Sequence, residues 1–96
     1  MDPFCKIKTK SGEFRTEDAT DMGKLPHWDE TFEVQLDNEI LITVAIWDKD
    51  TFSPDALLGE TKVNLHDKLS NGACSCWFDL FLNDKNAGRI HMEMQV

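Results

Sequence analysis

Polar and apolar residues alternate with a period of two through much of this chain. From Trp28 onward, Trp28, Glu30, Phe32, Val34 and Leu36 fall on one side and Asp29, Thr31, Glu33 and Gln35 on the other, the pattern of a strand with one wet face. The C-terminal run repeats it, with Ile90, Met92, Met94 and Val96 facing in and Arg89, His91, Glu93 and Gln95 facing out. Between them Ile40 to Trp47 is apolar on both sides, which predicts a strand packed on both faces or central in a sheet. Weaker strands are predicted over Phe4 to Thr9, Glu13 to Thr16, Leu57 to Leu65 and Cys76 to Leu82. Ser11-Gly12 signals a hairpin between the first two, while Asp37-Asn38, Ser70-Asn71-Gly72 and Asp84-Lys85-Asn86 mark further turns. Only His66 to Leu69 reads as briefly helical. Seven short strands at a spacing of about ten residues predict an all-β fold, an antiparallel Greek-key sandwich.

A chain of 96 residues is expected to form one domain over 1–96, with a small core and little room for a deep catalytic chamber. No run approaches the roughly 20 apolar residues of a membrane-spanning helix, and Met1-Asp2-Pro3 does not open a signal peptide. The expected location is cytoplasmic. Ten Lys and Arg against eighteen Asp and Glu give a net charge of −8, opposite to the basic footprint that nucleic-acid binding requires. The excess is uneven: residues 1–24 carry five basic and five acidic side chains, and residues 25–96 five against thirteen. An acidic half of this kind suits a cation or a basic partner.

Three cysteines, Cys5, Cys74 and Cys76, cannot all pair within one chain, and in a reducing compartment none needs to. They are expected to be small buried or half-exposed thiols. Cys74-x-Cys76 puts two sulfurs on one side of a strand and offers two metal ligands, but a structural zinc site takes four, at spacings absent here.

The segment richest in chemistry runs from Ile46 to Gly59. An apolar strand leads into Asp48 and Asp50, whose two-residue spacing aims both carboxylates the same way, and a loop with Pro54 returns a third at Asp55. One reading is a solvated acidic turn. The other is a site for a hard cation such as Ca²⁺, which takes six to eight oxygen ligands. An EF-hand does not fit: counting from Asp48 puts Phe52, Ser53 and Gly59 at positions five, six and twelve, where an oxygen ligand, a glycine and a glutamate belong. Nor is an enzyme indicated, since His27, His66 and His91 lack a partner motif and no Gly-rich phosphate loop occurs.

Several segments together resemble the C2 domain family, in the right order over nearly the whole chain. Asp2-Pro3-Phe4-Cys5-Lys6-Ile7 resembles its Asp-Pro-aromatic strand, and Pro26-His27-Trp28-Asp29-Glu30-Thr31-Phe32 its Pro-x-Trp-Asn-Glu-x-Phe segment. Asp48-Lys49-Asp50 followed by Leu57-Leu58-Gly59 resembles its third calcium loop, and Gly88-Arg89-Ile90 its final strand. The resemblance implies a sandwich whose loops at one end bind Ca²⁺ and dock on anionic phospholipid. It implies metal ligands at Asp2, Asp48 and Asp50, and a membrane-entering apolar tip at Phe52. The last carboxylate of that loop is replaced by Ala56, with Asp55 one residue early as a displaced counterpart. The family's first strand and first acidic ligand precede the Asp-Pro-aromatic motif, where this chain starts. The expectation is therefore one weakly held Ca²⁺ and peripheral membrane binding that depends on it.

The alternative is a calcium-independent module that binds a protein or a phosphoinositide. Lys6, Lys8 and Lys10 alternate along the first strand with Arg15 on the next, a stripe that suits an anionic head group at about 1 kcal/mol per charge near a membrane. The absent first strand leaves two further expectations, a strand-exchanged homodimer or, more plainly, a fragment or domain cut from a larger protein.

Overall fold

The computed structural model describes residues 3–17, 33–34 and 41–96. Six strands and one helical turn follow in order: β1 (Pro3–Thr9), β2 (Gly12–Arg15), β3 (Leu41–Asp48), β4 (Ala56–Asn64), α1 (Leu65–Lys68), β5 (Ala73–Leu82) and β6 (Lys85–Gln95). All described pairings are antiparallel, in the order β2-β1-β3-β4-β5-β6. The all-β expectation holds. The strand expected over Trp28 to Leu36 lies outside the described residues, apart from an exposed Glu33 and a half-buried Val34.

One register pair, Glu60 with Phe81, joins β4 to β5. Side chains from both segments nevertheless meet in one cluster: Cys5 of β1, Ile42, Val44 and Ile46 of β3, Val63 of β4, Leu65 of α1, and Phe78 and Leu80 of β5. The β5–β6 ribbon thus closes over the other strands, and alternation explains how. Cys74, Cys76, Phe78 and Leu80 face in while Ser75, Trp77, Asp79 and Phe81 are exposed, and Ile90, Met92 and Met94 continue the inward face on β6. The central strand β3 is apolar on both sides, as its sequence predicts. Its second face buries Ala45 and half-buries Trp47, which lies opposite the buried Phe4 of β1.

Turn chemistry sets the strand ends. Thr9 pairs with Gly12, so the first hairpin turns at Lys10-Ser11, and Gly12 opens β2. Asn83 and Asp84 both hold positive φ, 52° and 65°, the mirror-image turn that matches strand twist and that Asn and Asp tolerate. The expected turn at Asp84-Lys85-Asn86 is corrected accordingly: Lys85 already pairs with Leu82, and the last hairpin is longer than its alternation alone indicates. Asn64 accepts a hydrogen bond from the Asp67 N–H at 3.1 Å and caps the single turn of α1.

Two cysteines depart from expectation. Cys74 and Cys76 are joined in a disulfide, whereas Cys5 is buried and takes no part in one. Residues i and i+2 share a face of a strand, and the Cα separation of 5.9 Å lies within the range a disulfide spans.

Two bulges meet near Gly59. Ile46 pairs with Gly59 but Trp47 with Leu57, leaving Leu58 extra; Leu80 pairs with Gly88 but Phe81 with Asn86, leaving Ala87 extra. A Cβ on the buried Gly59 would stand 3.1 Å from the Cβ atoms of both Ala87 and Leu80. Gly59→Val should therefore cost about 1–3 kcal/mol by overpacking. That lowers the melting temperature by roughly 4–8 °C per kcal/mol, while Gly12→Val, with nothing within 4 Å, should change stability by less than about 0.5 kcal/mol.

Candidate functional site

β1 begins, β3 ends and β4 begins at one end of the sheet, because Asp48 pairs with Pro3 on one side and Ala56 on the other. The loop from Lys49 to Asp55 projects from this end and is exposed throughout. It is organised around Asp50. The Asp50 carboxylate accepts the Phe52 N–H on Oδ1 at 2.9 Å and the Ser53 hydroxyl on Oδ2 at 2.6 Å. Asp55 Oδ1 in turn accepts the Asp50 N–H at 3.1 Å. Phe52 stands at the tip, 97% exposed. The short polar side chains close the loop on itself, as Asx-type turns do, so the apolar tip is held out by hydrogen bonds rather than by packing.

The structure brings Asp50 and Asp55 together through that backbone bond, so the displaced carboxylate does point into the loop. Asp48 is half-buried at the strand end, directly across from Ala56. Asp2 lies outside the described residues. Among the described residues, no group of three or more His, Cys, Asp or Glu side chains is set to hold a metal ion. The oxygen donors suit a hard cation in kind, but both oxygens of Asp50 serve the loop's own donors. Ser53 is the site residue that the sequence pattern did not single out. Its lone signal is a hydroxyl three residues after an aspartate, a common turn spacing.

The basic stripe is only partly open. Lys6 Nζ lies 5.2 Å from the Trp47 ring centroid and 6.0 Å from that of Phe4, and Arg15 Cζ sits 3.6 Å over the Phe4 ring. Cation–π attraction accounts for both placements. Lys8 is exposed but pairs in register with Glu13, while Lys10 is in the turn rather than on the strand. A second surface feature was not anticipated from sequence: Trp77 is 61% exposed, with Arg89 5.0 Å from its ring and His91 edge-on at 5.1 Å.

The sequence profile of one family, the C2 domain, matches residues 1–80. The chain belongs to the C2 domain family. This C2 domain is 34% identical over 77 residues to elicitor-responsive protein 1 of Oryza sativa subsp. japonica, an alignment covering 75% of the chain and 48% of the rice protein. It is 33% identical over 100 aligned positions to extended synaptotagmin-1 of Mus musculus, covering 98% of the chain and 8% of the mouse protein. The chain thus spans about half the length of the rice relative and a small part of the mouse one. A solved C2 domain-containing protein superposes with a TM-score of 0.84 at 23% identity, covering 99% of this chain and 71% of that one, a likeness of fold. Neither named relative carries an enzyme's name.

The Ser53 hydroxyl, followed by the Phe52 N–H, holds the Asp50 carboxyl below its ordinary value of 3.8. A lowered pKa means that the ordering of the loop by this carboxylate is complete above the ordinary range and is lost as pH falls through the lowered value. Carboxyl ¹³C NMR should find Asp50 titrating below 3.8, and Ser53→Ala should move that midpoint upward. An unchanged midpoint would remove Ser53 from the account.

Proposed function

We propose that this C2 domain is a peripheral membrane module that docks on anionic phospholipid through the Lys49–Asp55 loop, assisted by calcium. The observation that carries the reading is the combination of an exposed Phe52 tip with an Asp50 carboxylate that accepts the Phe52 N–H and an Asp55 carboxylate that accepts the Asp50 N–H. On the family resemblance Asp2, Asp48, Asp50 and Asp55 are the ligands, and because the described carboxylates are not gathered around a common point, binding would require Asp50 to exchange its bonds to Phe52 and Ser53 for the ion. A domain of net charge −8 is repelled by an anionic surface, and the ion supplies the positive charge that bridges acidic loop and phosphate. Phe52 then adds an apolar term worth roughly 1.5–3 kcal/mol when buried among acyl chains. No helix among the described residues is long and apolar enough to cross a membrane. The role is that of a binding module in the cytoplasm rather than an enzyme.

Co-sedimentation with phosphatidylserine vesicles, at millimolar Ca²⁺ and with chelator, tests this reading. Binding should require calcium and vanish in Asp48→Asn/Asp50→Asn. Phe52→Ala should weaken it about 10- to 100-fold. Equal binding in chelator would move the contact to Lys6, Lys8, Lys10 and Arg15, and no binding in either condition would favour a protein-interaction module.

Ala56 gives the sharpest variant. It faces Asp48 across the first register pair of β4, where opposed Cβ atoms stand about 4.5–5.5 Å apart. A carboxylate there would converge with Asp48. Ala56→Asp should raise calcium affinity about tenfold or more, read by calorimetry without lipid.

A further inference from the structure

The inward face of the last hairpin carries a second candidate metal site, built from sulfur. Cys74 lies opposite Met94 and Cys76 opposite Met92 in the β5–β6 register. All four side chains are half-buried and pack against the same core cluster. Opposed residues of an antiparallel pair share a face, with Cβ atoms about 4.5–5.5 Å apart, so a Cys-x-Cys faces a Met-x-Met. The disulfide shows that the two cysteine sulfurs reach one another.

As a staple this bond does little, since a cross-link between residues two apart removes almost no freedom from an unfolded chain. The thiol form has more to offer. Two thiolates and two thioethers are a soft donor set that suits a monovalent copper ion and not calcium or magnesium, and the thioether pair sets it apart from zinc sites, which draw on Cys, His and carboxylates. Methionine's unbranched side chain, with three rotatable bonds, can adjust its sulfur to a shared centre.

We propose that Cys74, Cys76, Met92 and Met94 form a Cu(I) site that opens when the disulfide is reduced. An external dithiol gives two electrons and two protons to the Cys74–Cys76 bond and leaves as its own disulfide. Each freed thiol then releases its proton to solvent as its sulfur takes the ion. An external disulfide, taking two electrons and two protons from the metal-free thiols and leaving as a dithiol, re-forms the Cys74–Cys76 bond and closes the site. The site is independent of the Lys49–Asp55 loop and of its calcium chemistry.

Reduced protein is titrated anaerobically with Cu(I) against a chromophoric Cu(I) chelator. One ion per chain should be retained, with affinity falling at least about 100-fold in Cys74→Ser/Cys76→Ser and in the oxidised protein. Met92→Leu/Met94→Leu should weaken it about tenfold or more while leaving the melting curve in place. Methyl ¹³C NMR of the wild-type protein supplies a readout that needs no variant: Cu(I) should shift the Met92 and Met94 methyls and leave those of Met1 and Met22 unmoved. Equal copper retention by the oxidised protein or the double-cysteine variant would overturn the assignment. So would unmoved Met92 and Met94 methyls, which would leave a two-thiol contact in place of a four-sulfur site.

Discussion

The two layers of this domain are held together by burial more than by hydrogen bonds. Among the described residues one register pair links β4 to β5, so what keeps the β5–β6 ribbon over the other strands is the burial of Phe78 and Leu80 in one cluster with Val44, Val63 and Ile46. Val44 and Val63 are essentially sealed from solvent. Apolar burial has no preferred direction, so something else must fix how the layers sit. The Leu58 and Ala87 bulges do this by meeting at Gly59, where an added Cβ would crowd the Cβ atoms of Ala87 and Leu80 at 3.1 Å. The Lys49–Asp55 loop departs from β3 and returns into β4 within a few residues of that point. Core geometry and loop geometry are therefore set together.

The sequence revealed most where its period was cleanest. Ile42, Val44 and Ile46 face inward because a strand buried on both sides needs no polar partner on either, and the run from Ile90 to Met94 alternates with nothing to interrupt it. Boundaries were less legible because turn preference is shared by several neighbouring residues. Asp84-Lys85-Asn86 has good turn chemistry, yet Asn83-Asp84 takes the turn because both residues accept positive φ and so match the twist of the strands they join.

Pairing partners were the least legible of all. Nothing in Cys74-Ser75-Cys76 distinguishes two thiols from one disulfide, since both use the same face of the strand. The basic stripe reads as four alike cations along two strands. In the fold Lys6 and Arg15 lie against the Phe4 and Trp47 rings, contacts made across strands and so absent from any local pattern. At the acidic loop the reverse happened. Asp55, one position out of step by counting, reaches Asp50 because a loop, unlike a strand, does not fix which way alternate side chains point.

Asp50 has a consequence that extends past its own charge. One of its oxygens holds the backbone of Phe52 and the other holds Ser53. Whatever draws those oxygens away loosens the tip, and whatever pins the tip in a new place reorients the oxygens. Thermodynamic reciprocity then requires equal influence in both directions: an event at the carboxylate that favours one placement of Phe52 is itself favoured, by the same factor, once Phe52 is so placed. A single side chain with two acceptor atoms makes the charged and the apolar halves of this loop report on each other.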